Sequence, residues 1–108
     1  MVCLDIISEH GEREGVLKAL SEGRSTVVQI SKEQVNGFAG NVLEVCNTAG
    51  ERLIAMSSAA HGAFTPEQRA ALETCAPLIH APIPTIERLG GGSVRCMLAE
   101  VFLPPNAH

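Results

Sequence analysis

The spacing of apolar residues changes several times along this chain, and each change marks an element. Residues 2–7 form a short apolar run broken only by Asp5 and Ile-flanked, which predicts a buried strand. Over 9–22 the period lengthens: Val16, Leu17 and Leu20 share one helical face, acidic residues crowd the first turn and Gly23 supplies a stop, so a helix is expected. The β-branched stretch 26–30 predicts a second strand. Ser31-Lys32-Glu33-Gln34 has the form of a capping box and predicts a single helical turn. A loop follows over 36–41, ending at Asn41. Residues 42–46 and 52–57 then flank the turn-forming Asn47-Thr48-Ala49-Gly50-Glu51 and predict a β-hairpin.

The second half carries stronger punctuation. Thr65-Pro66-Glu67-Gln68 combines an N-cap threonine, a proline at the first helical position and a glutamine three residues past the cap. This predicts a helix to about residue 75, with Leu72 and the alanines inward and Pro77 ending it. Residues 78–81 read as a short strand. Pro82 and Pro84 hold the backbone extended, residues 85–89 suit one helical turn, and Gly90-Gly91-Gly92 forms a loop free to take positive φ. Residues 94–102 are apolar on both faces apart from Arg95 and Glu100, which predicts a final buried strand. The expected architecture is α/β (α+β): a complete ββαβ unit over about 41–81, a preceding β-α-β, and the strand 94–102.

Composition narrows the function classes. At 108 residues the chain is expected to be one domain. Apolar residues make up 45% and charged residues 19%, an ordinary globular balance. A net charge of −4, with no tryptophan or tyrosine, argues against nucleic-acid binding. There is neither a signal-peptide pattern nor an apolar run long enough to span a membrane. The four cysteines, Cys3, Cys46, Cys75 and Cys96, show no C-x-x-C spacing, so no metal and no cofactor is expected, and they read as reduced thiols in a cytoplasmic protein.

Cys96 is the candidate for chemistry. It follows a flexible turn and is expected on a rigid element, where a thiol can be held while the glycines leave room for a ligand. Its alternative reading is a small buried hydrophobe, the common fate of a free cysteine. Gly91, Gly92 and Ser93 either shape a pocket wall beside the sulfur or serve only as the turn that leads into the next element. Asn41 reads as a turn-stabilising residue or a ligand contact. Glu44, Glu87 and Glu100, placed on or near expected strands, read as salt-bridging groups at strand ends, with lining a site as the alternative for one of them. Among the histidines, His10 and the terminal His108 read as solvated, His80 as a hydrogen-bonded structural residue and His61 as a loop residue.

Gly-Gly-Gly-Ser-Val-Arg-Cys-Met, with Ile-Pro-Thr-Ile-Glu before it and Leu-Ala-Glu-Val-Phe-Leu-Pro after it, resembles the carboxyl end of the guanidino-group-modifying enzymes. This is the amidinotransferase, arginine deiminase and dimethylarginine hydrolase superfamily, and the segment looks most like bacterial amidinotransferase-like hydrolases of citrulline use. Val2-Cys3-Leu4-Asp5, Phe38-Ala39-Gly40-Asn41-Val42-Leu43-Glu44 and Met56-Ser57-Ser58 resemble the same group in the same order. The resemblance implies part of a pentein-type propeller, built from repeated ββαβ units, with residues 1–108 as a single C-terminal segment. It implies Cys96 as a nucleophile toward a guanidinium or ureido carbon, and Gly91, Gly92 and Ser93 as residues beside the substrate.

It also implies a histidine base and a carboxylate clamp, which in the family lie upstream of the segment that residues 2–5 match. None of the four histidines falls in a matching motif. The chain is therefore expected to be a fragment, inactive alone, of a hydrolase whose substrate is a small guanidino or ureido amino acid. The alternative is a non-catalytic α/β module that binds a partner or assembles with itself. An incomplete propeller leaves sheet edges unpaired, so a homo-oligomer or a complementing chain is the expected partner.

Overall fold

The computed structural model describes residues 1–23 and 26–104. Its elements in chain order are α1 (His10–Glu22), α2 (Lys32–Asn36), β1 (Leu43–Cys46), β2 (Arg52–Ser57), α3 (Ser58–Ala63), α4 (Pro66–Glu73), β3 (Leu78–Ala81), α5 (Pro84–Gly90) and α6 (Val94–Met97). The architecture is mixed α/β, as the apolar pattern predicts, around a three-stranded sheet of order β1-β2-β3.

β1 and β2 form the expected antiparallel hairpin, pairing Leu43 with Ala55 through to Cys46 with Arg52. The Asn47 side chain holds the turn, accepting from the backbone N–H groups of Ala49 and Glu51 at 3.0 and 2.9 Å. Across the hairpin, Arg52 forks both carboxylate oxygens of Glu44 at 2.9 and 2.7 Å, the salt-bridging role expected for that glutamate. β3 pairs in parallel with the other side of β2, Ile54 opposite Leu78 and Ser57 opposite Ala81. The central strand is accordingly the buried one. Ile54, Ala55, Met56 and Ser57 are all buried, and Ile54 and Met56 meet Val28, Ile30, Ala39, Ala60, Phe64, Leu72 and Ala76 in the core.

Both predicted capping boxes form, and they are joined. Ser31 accepts from Gln34 N while Gln34 Oε1 accepts from Ser31 N; Thr65 and Gln68 repeat the arrangement at α4. The two glutamine amides then bond to each other, Gln34 Nε2 to Gln68 Oε1 at 2.5 Å and Gln68 Nε2 to Gln34 Oε1 at 3.2 Å. Gln68 Nε2 also donates to the Gln29 carbonyl at 2.6 Å and Gln34 Nε2 to that of Ala63 at 2.9 Å. These amides lock α2 and α4 together.

Several expectations are corrected. No strand forms over 94–102. Val94–Met97 is a helical turn, with Cys96 N bonded back to Ser93 O and Leu98 N to Arg95 O, and residues 98–104 leave it without regular structure. A strand apolar on both faces needs neighbouring strands to pair with and layers to cover it; none of the described strands hydrogen-bonds to this run, although its helical turn packs against β2.

The expected strands 2–7 and 26–30 shrink to one parallel bridge, Val2 with Gln29, closed by Val2 N to Val28 O and Ile30 N to Val2 O at 3.0 and 2.9 Å. Leu4–Ile6 turns into a 3-10 helix instead. Two lone strands have too little to pair with to extend further. α1 forms as expected, but it stands away from the core with none of its residues buried, and Arg13 holds it to the Ile7 carbonyl.

α3 was not expected at all: Ser57, buried, caps it by accepting from Ala60 N at 3.0 Å, so His61 is helical rather than a loop residue. His10 opens α1 in the open, beside Glu14, and His108 lies outside the described residues.

The amide lock carries a prediction. Gln68→Glu keeps the cap acceptor and loses both amide donations, so it should destabilise the fold by about 1–3 kcal/mol, read as a lower urea midpoint with an unchanged slope.

Candidate functional site

The site is built from the end of the chain backward. α5 stops at Gly90, and Gly91 takes the left-handed conformation, φ +69°, that ends a helix at little steric cost for glycine. Two residues on, Ser93 is fully buried, and its hydroxyl donates to the buried Glu87 Oε1 at 2.6 Å. Glu87 therefore lies in a helix and serves a hydrogen bond, correcting the expected strand salt bridge. This bond folds the glycine loop back on α5 and presents α6 with Cys96 on its exposed surface. Gly92 passes close beneath: a Cβ there would lie 3.0 Å from Cys96 Cβ and 3.1 Å from its sulfur.

Two bonds pin α6 onto the segment that leads into β1. Arg95 Nη1 donates to the Val42 carbonyl at 3.2 Å, and Asn41 Nδ2 donates to Cys96 Sγ at 3.0 Å. The Asn41 hydrogen bond, joined by a backbone bond from Ser93 and the nearby Arg95 charge, draws the Cys96 thiol below its ordinary range, against a smaller opposing effect of desolvation. A donor favours the thiolate over the thiol, and the thiolate is the nucleophilic form.

The loop that delivers Asn41 is itself strained. Phe38 has φ +66°, uncommon for a residue with a bulky side chain. A turn bond from Asn41 N to Phe38 O at 2.9 Å closes it, and Ala39 inside it is fully buried. Beside it opens a cleft of about 460 Å³, lined by Phe38, Gly40, Asn41 and Gly91 together with Val35 and Asn36. Of the residues singled out from sequence, Cys96, Gly91 and Gly92 thus come together with Asn41. Ser93 lies behind them with its hydroxyl committed to Glu87.

The other candidates go elsewhere. Among the described residues, no histidine hydrogen-bonds to Cys96. His61 and His80 stack on each other with ring centroids 4.2 Å apart, and Ser58 Oγ lies 2.9 Å from His80 Nδ1, the hydrogen-bonded role expected of His80. Arg69, on α4, reaches the His61 carbonyl at 2.9 Å. Burial, then the neighbouring His80 and Arg69, push the His61 ring below its ordinary value, with Glu73 opposing. Glu100 stays exposed after α6. All four cysteines are free thiols. No helix among the described residues is long and apolar enough to cross a membrane.

The Asn41–Cys96 contact was missed as a pair because it joins residues 55 apart in sequence. The one local signal was the Gly40-Asn41 end of the loop.

A polarised thiol behind a glycine loop, set in an α/β segment whose middle runs β1-β2-α3-α4-β3, with one helix more than the expected ββαβ unit, is consistent with the guanidino-group-modifying superfamily. The family model described as N,N dimethylarginine dimethylhydrolase, eukaryotic, matches residues 1–103, and the chain belongs to that family. No curated protein and no solved structure gives a significant match.

The stacked histidines give a pH dependence. With its pKa lowered on folding, His61 binds a proton less readily in the native state than in the unfolded chain, so stability is greatest above about pH 6.5 and falls as pH drops through the folded value. His61→Phe keeps the stack without the proton. Its melting temperature should fall less than that of the wild type between pH 7.5 and 5.

Proposed function

We propose that this chain is the nucleophile-bearing segment of a cytoplasmic cysteine hydrolase that cleaves a C–N bond of a small guanidino or ureido amino acid. The substrate class is that of dimethylarginine, arginine and citrulline. The observation that carries the reading is the Asn41–Cys96 hydrogen bond at 3.0 Å on an exposed sulfur whose pKa is lowered. With a methylated guanidinium, the thiolate adds to the central carbon and the C–N bond to the amine breaks as that nitrogen takes a proton. A cationic thiouronium-type adduct remains. Water then adds to the same carbon, the C–S bond breaks, and the thiolate is released beside a ureido product. The bound guanidinium's positive charge further favours the thiolate.

Such a cycle needs a general acid–base and carboxylates around the guanidinium nitrogens. The hydrogen-bond partners of Cys96 among the described residues are Asn41 and Ser93. In this reading the base and the clamp come from another part of the assembly, and the described residues alone do not turn over substrate.

Limited iodoacetamide labelling, mapped by mass spectrometry across pH, tests this. Cys96 is expected to label ahead of the other exposed thiols, Cys46 and Cys75, and to become reactive at lower pH. Equal labelling of all three at every pH would overturn the reading.

A second element of the proposal is assembly. The outer edges of β1 and β3 are unpaired among the described strands, and beyond α6 Val101, Phe102 and Leu103 are 76%, 88% and 80% exposed. Unpaired edges and a contiguous apolar run favour a second copy or a complementing chain. Light scattering should show a homo-oligomer whose fraction rises with concentration and falls in Phe102→Ser. A monodisperse monomer throughout would contradict it.

A further inference from the structure

We infer that Asn41 is a two-handed positioning residue: its Nδ2 holds the Cys96 sulfur, and its Oδ1 accepts an N–H from the planar head of the guanidino or ureido substrate. The inference rests on the reading of Cys96 as nucleophile and adds to it the group that seats the electrophile. The Nδ2 arm is occupied, at 3.0 Å from Sγ. The Oδ1 arm is buried and has no hydrogen-bond partner among the described residues. A buried amide oxygen is ordinarily satisfied, so this one is an acceptor waiting for a donor.

The donor has a place to come from. Asn41 lines the cleft shared with Phe38, Gly40 and Gly91. Among the described residues, none lining that cleft carries a charge, so amide and backbone groups are the polar groups it offers a ligand. Its wall is kept in place by the left-handed Phe38 and the 2.9 Å turn bond back from Asn41 N. Strain of this kind persists where the surroundings over-determine it, and it collects at binding sites. Both arms spring from one planar carbon. A guanidinium or ureido nitrogen bound to Oδ1 therefore brings its central carbon to the same side chain that holds the sulfur, the arrangement needed for a near-attack approach of about 3–3.5 Å. The chemistry selected is a planar head that carries N–H donors.

The test uses chloroacetamidine, an alkylating agent with a planar, cationic, N–H-bearing head, on the full chain, with labelling of Cys96 followed by mass spectrometry. In the wild type, labelling is expected to saturate with concentration. Asn41→Ala removes both arms: the half-saturating concentration should rise roughly tenfold, the worth of one hydrogen bond to a charged partner, and the pH midpoint of Cys96 labelling should move up. Asn41→Asp keeps an acceptor oxygen and loses the donor, so the midpoint should move up while half-saturation stays at or below the wild-type value. A merely structural asparagine would not separate these two readouts.

A wild-type measurement needs no variant to fold: the N,N,N′,N′-tetramethyl form of the probe has no N–H and should label Cys96 without saturation. Saturation by the tetramethyl probe, or wild-type behaviour in both variants, overturns the role of Asn41 while leaving Cys96 as nucleophile. Failure of wild-type Cys96 to label ahead of Cys46 and Cys75 overturns the nucleophile reading itself, and this inference with it.

Discussion

A single buried hydrogen bond, from the Ser93 hydroxyl to Glu87 at 2.6 Å, decides where the reactive end of this protein points. Three consecutive glycines would otherwise leave the chain after α5 with many conformations of similar energy. Anchoring Ser93 to the preceding helix removes that freedom at the loop's far end, while Gly91 takes the positive φ that the turn requires. The anchor has a local consequence. With its hydroxyl given to Glu87, Ser93 makes no side-chain cap for α6, and that short helix relies on tertiary bonds from Arg95 and Asn41 to stay in place.

Those tertiary bonds work because of the sheet. β2 is buried along most of its length and is shared by both neighbours, β1 antiparallel and β3 parallel. Its pairing with β1 fixes the register of Leu43, and hence the position of Asn41 two residues earlier. α6 packs against the same strand. One rigid strand thus sets both partners of the Asn41–Cys96 contact, which is how residues far apart in sequence meet at hydrogen-bond distance. The paired glutamines at the starts of α2 and α4 hold the other side of the Phe38 loop. The site is a product of the middle of the chain as much as of its end.

What was legible in the sequence was local. The hairpin around Asn47 and Gly50, the Thr65-Pro66 helix start, the Ser31 capping box and the strand Leu78–Ala81 all carry their cause within a few residues, and all form. The run after Ser93 misled because a doubly apolar segment is a strand only if other strands lie beside it, a condition set elsewhere. The same holds for the bridge at Val2. α3 was hidden because Ser57 and Ser58 look like the end of a strand, although a serine followed by alanines is also a helix start. At the site, Cys96 and its glycines stood out by residue type. Asn41 and Glu87 could be named, as a turn or ligand-contact residue and as a salt-bridging carboxylate, but their partners Cys96 and Ser93 could not, because those contacts exist only once the chain has folded.

The central claim is that Cys96 is held toward its thiolate form by Asn41, and the most direct measurement is its own titration. Thiolate absorbance near 240 nm, recorded against pH for the wild type and for Cys96→Ser, isolates this residue as the difference between the two curves. The account predicts a midpoint below the value of about 8.5 for a free cysteine. A midpoint at or above that value would contradict it, leaving Cys96 an ordinary surface thiol in a chain that carries the family's framework without its chemistry.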